Sequence, residues 1–193
     1  MRKLVVATGN PGKLDEIQEY LVDLPLQLEL KPSELDVEET GTTFIENARL
    51  KASEVAKALG KWSIADDSGL AVNALNGAPG LYSSRYGKTD EERISRLLRE
   101  LGNADDRQAQ FICAIAISSP QGEIAAETEG ICYGEILTEP RGKNGFGYDP
   151  VFYVPTVEKT FAQMSASTKG KISHRGVAFA QIMPDLQILT KKL

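Results

Sequence analysis

The order of strand-like and helix-like segments constrains the fold of this chain more than any other feature of its sequence. An apolar run at residues 4–7 leads directly into an amphipathic stretch at residues 11–24, which predicts a buried strand followed by a helix. Farther along the chain, apolar runs at residues 109–118 and 123–137 flank a turn and predict a long antiparallel hairpin. Strand–helix units followed by a hairpin are typical of an α/β protein with a long mixed β-sheet flanked by helices.

Capping residues mark the predicted helix boundaries. Thr43 and Glu46 predict a capping box at the start of a second helix, and residues 89–101 show the same pattern for a third. The stretch at residues 165–175 is polar and basic and precedes the last helical segment, which Pro184 is expected to bend or end. The predicted hairpin thus lies between the third helix and the last one.

Composition limits the class of protein. The chain has 193 residues, 41% of them hydrophobic and 25% charged, as expected for one globular domain over residues 1–193. No apolar run approaches the ~18 residues of a membrane span, and the net charge of −5 argues against nucleic-acid or anionic-membrane partners. Cys113 and Cys132 lie in apolar runs and are interpreted as buried thiols in a reducing compartment, which, without a secretory signal, predicts a cytoplasmic protein.

Asp66 and Asp67 form the most informative polar site. They follow the apolar run at residues 62–65 and precede Ser68 and Gly69, which predicts two carboxylates at the end of a buried strand. Adjacent carboxylates repel each other unless a cation or a reacting group uses them. The alternative is a turn between two strands, because Asp and Gly are common turn formers.

The small-residue turn at residues 8–13 is a second polar site. It joins the first predicted strand to the N-terminus of the first helix, where backbone N–H groups and the helix dipole suit phosphate oxygens. Leu14 follows Lys13 where a Walker loop has Ser or Thr, so the turn is not a Walker loop. The alternative is an ordinary capped turn with a solvated lysine.

Two segments between these sites complete the first group of polar residues. Glu39, in the acidic segment 38–41, can join Asp66 and Asp67 as carboxylate ligands of Mg²⁺; the alternative is a solvated acidic loop. Asn47 and Lys51 are four residues apart on one predicted helix, so both can point at one ligand.

The glycine-rich segment at residues 145–150 and the basic segment after it form a second group. Phe146 lies between two glycines, where its ring can stack on a nucleobase while Asp149 accepts a hydrogen bond from a ring N–H; the alternative is a β-turn that folds both aromatic residues of the loop into the core. His174 is the single histidine of the sequence, and its alternative is a structural residue. Without a second histidine, a nearby cysteine or a Ser-His-Asp constellation, zinc sites and nucleophilic triads are discarded. Lys169 and Arg175 can donate to an anion or a carbonyl, or form a solvated basic loop.

Taken as a set, these motifs resemble those of the inosine triphosphate pyrophosphatase family, whose members hydrolyse non-canonical purine nucleoside triphosphates. The resemblance spans nearly the whole chain. The motifs that carry it are, in order, residues 8–13, Glu39-Thr40-Gly41 with residues 44–48, residues 66–70, residues 145–150 and residues 173–176.

The resemblance implies an architecture and a reaction. The architecture is an elongated α/β protein with two lobes, a deep central groove that holds the active site, and a homodimeric assembly. The reaction is hydrolysis of ITP, dITP or XTP to the monophosphate and pyrophosphate with Mg²⁺ as cofactor. It removes deaminated purines from the nucleotide pool.

The resemblance also implies a role for each motif residue. Glu39 and Asp67 would bind Mg²⁺, and Asp67 would be the general base that deprotonates the attacking water, with Asp66 in support. Lys13 and Lys51 would stabilise the charge that builds on the leaving pyrophosphate. The remaining substrate contacts would come from Thr8, Gly9, Asn10, Pro11 and Gly12 at the triphosphate, Asn47 and Ser68 beside it, and Phe146, Gly147, Tyr148, Asp149, Lys169, His174 and Arg175 at the base.

Base choice would follow from hydrogen-bond pattern. With Arg175 donating to the 6-oxo group and Asp149 accepting from N1–H, hypoxanthine and xanthine fit, whereas adenine presents the reverse pattern. Guanine shares both features, and the sequence shows no basis for its rejection.

Two other functions use the same residues. A phosphatase for small phosphate esters would release orthophosphate instead of pyrophosphate. A non-catalytic nucleotide sensor would not need Asp66, Asp67 and Glu39 to converge.

Overall fold

The computed structural model describes residues 2–191. Within this range the strands are β1 (Arg2–Val6), β2 (Leu26–Leu30), β3 (Ser63–Val72), β4 (Gln108–Ser118), β5 (Ile124–Ile136), β6 (Phe152–Val154) and β7 (Lys159–Thr160). The α-helices are α1 (Pro11–Leu21), α2 (Phe44–Leu59), α3 (Asp90–Leu101), α4 (Ala166–Ile172) and α5 (His174–Leu189). Short 3₁₀ helices lie at Asn73–Leu75, Gly80–Arg85, Pro155–Val157 and Phe161–Gln163.

The strands form one seven-stranded sheet in the order β2-β1-β3-β4-β5-β6-β7. β1 pairs in parallel with both β2 and β3, so that Val6 is opposite Leu30 on one side and Ile64 on the other. β6 pairs antiparallel with β5 and β7. Parallel neighbours need crossover connections, which α1 and α2 supply. The predicted α/β class with a mixed sheet is therefore confirmed.

Contacts divide the chain into two compact units, each built from separate stretches of sequence. The first unit takes the chain up to Asp67, Cys113–Gly130, and the chain from Arg175 onward; the second takes Ser68–Ile112 and Ile131–His174. Each unit has its own hydrophobic core. The first core includes Leu4, Ile17, Ile64, Ile115, Phe179 and Leu186, and the second includes Leu70, Leu97, Phe111, Phe152, Phe161 and Met164.

The capping residues place the helix starts as predicted. Asn10 accepts from the backbone N–H of Gly12 at 2.9 Å, so α1 starts at Pro11. The Thr43–Glu46 box is complete at the start of α2, and α2 ends at a left-handed Gly60.

Two predicted element ends, at Asp66 and at Pro184, and the alternative of a solvated loop at residues 165–175 are wrong. β3 does not end at the two aspartates but continues through them to Val72. The stretch at residues 165–175 is not a loop: α4 forms within it, because the Ser165 side chain accepts from the N–H of Thr168 and caps the helix. α5 continues through Pro184.

Packing explains why Pro184 does not end α5. Phe179, Ile182 and Leu186 lie on both sides of the proline and are buried in the first core. Most helical stability in proteins comes from such tertiary packing, which here outweighs the loss of one backbone hydrogen bond. None of the helices within residues 2–191 is long and apolar enough to cross a membrane.

Candidate active site

Asp66 lies in the middle of β3 and faces two cationic side chains of the first unit. Its Oδ2 is 2.8 Å from Nη2 of Arg175 and 3.1 Å from Nζ of Lys13. Burial would raise the pKa of Asp66, but the positive charges of Lys13, Arg175 and Lys51 outweigh it and lower the pKa well below its usual range. Asp66 is therefore ionised at neutral pH.

Arg175 is buried between two carboxylates. Besides Asp66, its guanidinium donates to Glu16 of α1, and only 1% of the arginine side chain is exposed. Cys113 Sγ lies 3.9 Å from the same Asp66 oxygen, and burial raises the pKa of this thiol to about 12. The sequence analysis did not identify Glu16. Its signal is its position three residues after Lys13, which puts both side chains on one face of α1.

Asp67 has a different set of partners, because successive side chains of a strand point to opposite faces. Its Oδ2 accepts from Nδ2 of Asn47 at 3.3 Å, and its Oδ1 accepts from Nζ of Lys51 at 2.9 Å. Asn47 and Lys51 lie four residues apart on α2 and both contact Asp67, while their contact with one ligand stays a prediction. Burial raises the pKa of Asp67 above its usual value, although Lys51 and Lys13 oppose the rise.

Lys51 connects Asp67 to the acidic loop before α2. The same ammonium that contacts Asp67 lies 2.8 Å from Oε1 of Glu39. Burial would lower the pKa of Lys51, but Asp67, Asp66 and Glu39 outweigh it and raise the pKa. The lysine is therefore a fixed positive charge between carboxylates from two separate segments.

Gly41 allows the acidic loop to approach α2. Its N–H donates to Oδ1 of Asn47 at 2.8 Å. A Cβ atom at this position would lie 2.6 Å from that oxygen, so only glycine permits the contact without a shift of the loop. The loop that carries Glu39 is thus positioned by a close backbone approach.

The turn between β1 and α1 is built from local hydrogen bonds. Thr8 Oγ1 accepts from the N–H of Asn10 at 3.2 Å, and Asn10 Oδ1 accepts from Gly12 and, at 3.4 Å, from Lys13. A Cβ atom on Gly9 would meet no described atom within 4 Å. The turn holds Lys13 against Asp66, while phosphate contacts by residues 8–12 stay a prediction.

In the second unit, Asp149 and Lys169 form a buried ion pair. Oδ2 of Asp149 is 2.6 Å from Nζ of Lys169 and accepts from the N–H of Phe146 at 3.0 Å. Lys169 Nζ lies 4.9 Å from the centroid of the Phe146 ring and 5.5 Å from that of Phe161. Gly145 has a left-handed φ of 76°, and a Cβ there would collide with the Asp149 carboxylate.

Tyr148 and His174 are buried among residues of the second core. The hydroxyl of Tyr148 donates to the backbone carbonyl of Ser83 at 2.8 Å, and burial raises the pKa of this phenol. The ring of His174 stacks on Phe111 with centroids 4.6 Å apart. Both placements match the structural alternatives, and base contacts by these residues stay predictions.

Gly147 and Ser68 are two further predicted site residues, one beside α3 and the other on β3. The N–H of Gly147 donates to Oδ2 of Asp90 at 2.7 Å, which ties the glycine-rich segment to the start of α3. Ser68 is half-buried on β3 directly after Asp67. The sequence analysis did not identify Asp90, which resembles an ordinary acidic residue in the first turn of a helix.

Asp149 and Arg175, both of which are predicted to contact the base, belong to different units. Asp149 pairs with Lys169 in the second unit, whereas Arg175 belongs to the first unit and donates to Asp66 and Glu16. Contact of Arg175 with the base stays a prediction.

The residues at Asp67 fit a magnesium ion in part. No group of three acidic, histidine or cysteine side chains within residues 2–191 converges closely enough to hold a metal. Glu39 and Asp67, however, already share one cationic group, and Oδ1 of Asp66 is buried without a hydrogen-bond partner among the described residues. Mg²⁺ is usually bound by one or two carboxylates and keeps several waters, so two carboxylates suffice.

The mixed sheet and its flanking helices are those of a known class of α/β proteins. A HAM1 protein from Coxiella burnetii has the same fold, with a TM-score of 0.87 and 48% identity over 96% of this chain and 98% of that one. The dITP/XTP pyrophosphatases of Nostoc sp. and Synechocystis sp. are 63% and 61% identical, each over 95% of this chain and over 93% and 94% of their own. The Ham1 family model matches residues 4–185, and this chain belongs to the Ham1 family. The resemblance drawn from the motifs is confirmed.

Proposed function

We propose that this protein is a nucleoside triphosphate pyrophosphatase, which hydrolyses ITP, dITP and XTP to the monophosphate and pyrophosphate. The observation that carries the proposal is the cluster in which Lys51 lies between Glu39 and Asp67 while Lys13 contacts Asp66. Relatives with more than 60% identity over 95% of the chain are named dITP/XTP pyrophosphatases. The reaction would remove deaminated purines from the nucleotide pool.

Glu39 and Asp67 are the residues that would hold Mg²⁺. Both carboxylates reach one cation from different segments, and carboxylate oxygens are the ligands that Mg²⁺ prefers. Bound there, the ion would stabilise negative charge on the phosphate oxygens.

Asp67 would accept the proton of the water that attacks the α-phosphorus. Asn47 donates to one of its carboxylate oxygens, which orients the group, and in the protein without metal Lys51 donates to the other. Burial raises its pKa in the protein without metal, and the charge of an adjacent Mg²⁺ would keep the carboxylate ionised at neutral pH, as a base must be.

Lys13 and Lys51 would stabilise the leaving pyrophosphate. Both ammonium groups lie within 3.1 Å of carboxylates in the first unit, so each is held in place before substrate binds. Charge stabilisation by positioned cations is most of the catalysis of phosphoryl transfer. The N–H groups at the start of α1 would add contacts to phosphate oxygens.

Lys169, Asp149 and Phe146 would read the base. The ammonium and the carboxylate are adjacent, so they can supply a donor for the 6-oxo group and an acceptor for N1–H. Arg175 would donate to the 6-oxo group, as the family resemblance implies, and Lys169, which adjoins the Asp149 carboxylate, is a second donor for the base. A site that reads polar groups in this way discriminates by up to about 10⁴–10⁵, while Phe146 would stack on the ring.

Two wider expectations stay predictions. A homodimer is expected from the family resemblance. Light scattering from the protein as it elutes from a size-exclusion column measures its mass and tests this prediction. A cytoplasmic location rests on the composition of the sequence.

A pyrophosphate-release assay across ITP, dITP, XTP, GTP, ATP and CTP, with Mg²⁺ or with a chelator, tests the proposed function. We expect release from the first three nucleotides and loss of release with the chelator. Release of orthophosphate would indicate a phosphatase instead, and nucleotide binding without hydrolysis would indicate a sensor.

A further inference from the structure

The geometry points to a second role for Lys51, as an internal cation that occupies the metal position until nucleotide arrives. This inference rests on the proposed function, because it concerns the residues that would hold Mg²⁺. The ammonium lies 2.8 Å from Glu39 and 2.9 Å from Asp67, the arrangement of a cation shared by two carboxylate ligands. Lys51 thus stabilises the acidic pair in the protein without metal.

Size and charge prevent Lys51 and a divalent ion from sharing this position. Mg²⁺ binds oxygen at about 2.0–2.1 Å, so Glu39 and Asp67 would have to draw inward onto the point that the ammonium now fills. Two cations at that distance repel strongly in a partly buried site, where only 13% of the Lys51 side chain is exposed. Metal binding therefore requires that the Lys51 ammonium leaves.

Displacement of Lys51 carries a cost that a nucleotide can offset. Without nucleotide, the displaced ammonium loses two carboxylate partners. With nucleotide, the phosphate oxygens provide a new anionic partner for the same flexible side chain. Metal and nucleotide would then each raise the affinity for the other, because linkage between two sites is reciprocal. The free protein would bind metal weakly.

Titration of the nucleotide-free protein with Mn²⁺, followed by the paramagnetic signal of the free ion, tests this inference. Lys51→Met removes the competing ammonium, and we expect its Mn²⁺ affinity to exceed that of the unaltered protein by at least about tenfold. Lys13→Met is the matched control: it removes the same charge from the same cluster, but Lys13 contacts Asp66 and not the Glu39–Asp67 pair. We expect a clearly smaller gain there.

Two results would overturn the inference. One is a Lys51→Met affinity equal to or weaker than that of the unaltered protein. The other is an equal gain of Mn²⁺ affinity in both variants, which would mean that removal of either positive charge from the cluster has the same effect.

A second measurement covers the case in which Lys51→Met does not fold. A crystal of the unaltered protein soaked in Mn²⁺ is expected to show the ion between Glu39 and Asp67, with Lys51 Nζ no longer in contact with either carboxylate. Mn²⁺ bound there with the ammonium still bridging both would contradict the inference. Both experiments measure Mn²⁺ binding and not nucleotide hydrolysis. Failure of the proposed function is therefore detected separately, as absence of pyrophosphate release from ITP.

Discussion

At the scale of single residues, neighbouring aspartates of β3 have opposite electrostatic environments. Asp66 is paired with Lys13 and Arg175, which lower its pKa, whereas burial raises the pKa of Asp67. One carboxylate is thus kept as a permanent charge, and the other is suited to exchange a proton. The sequence shows two adjacent acids but not this difference, because the partners come from distant segments.

Asp67→Asn tests the proposed base. The amide keeps the shape of the side chain but cannot accept a proton, so we expect turnover of ITP to fall about 10²–10⁴-fold, the usual contribution of a general base. Nucleotide affinity, measured by calorimetry without metal, is expected to change little. Asp15→Asn, at an exposed position of α1, is the control for the loss of one negative charge. Near-normal turnover of Asp67→Asn would remove Asp67 from the mechanism.

Asp66→Asn tests the buried ion pairs through stability. Leaving Arg175 with one carboxylate partner fewer is expected to lower the free energy of unfolding by about 3–5 kcal/mol at pH 7. The pKa of Asp66 is lowered in the folded protein, so its contribution is present above the unfolded pKa of about 3.9 and is lost as pH falls below it. The free energies of unfolding of the unaltered protein and of Asp66→Asn, measured with denaturant, should therefore converge as the pH falls from 7 to 3. A difference that stays constant with pH would contradict the assigned pairing.

At the scale of secondary-structure elements, local signals in the sequence were sufficient for some elements and not for others. The limits of α2 follow from Thr43, Glu46 and Gly60, because capping depends on residues within one turn of the helix end. β3 was predicted to end at Asp66, because a polar pair after an apolar run looks like a strand end. It continues because lysines and an arginine from other elements neutralise the pair, and local sequence does not carry that information.

The segment from Gly145 to Asp149 offers a matched pair of substitutions. Both Gly145 and Gly147 have left-handed φ values, of 76° and 62°, so alanine strains either position similarly. A Cβ at Gly145 collides with the Asp149 carboxylate, whereas at Gly147 it meets no described atom within 4 Å. We expect Gly145→Ala to raise KM for ITP several-fold more than Gly147→Ala does, because the first displaces the partner of Lys169. Equal KM values in the two variants would remove Asp149 from base recognition.

At the scale of the whole molecule, the predicted residues fall into two chemically distinct sets in two units. The first unit carries the carboxylates and lysines suited to phosphate chemistry, and the second carries Phe146, Asp149 and Lys169, suited to a purine base. The sequence offers the members of both sets as candidates, and the base contact of Arg175, a residue of the first unit, stays a prediction. Arg175 directly follows His174 in sequence, and only the fold shows that the division between the units lies between these two residues.

The central claim is that water attacks the α-phosphorus and pyrophosphate leaves. Hydrolysis of ITP in heavy-oxygen water, followed by mass spectrometry of the products, tests it most directly. We predict that the label appears in the nucleoside monophosphate and that the pyrophosphate is unlabelled. Label in pyrophosphate or in orthophosphate would mean that another phosphorus is attacked, and would contradict the account.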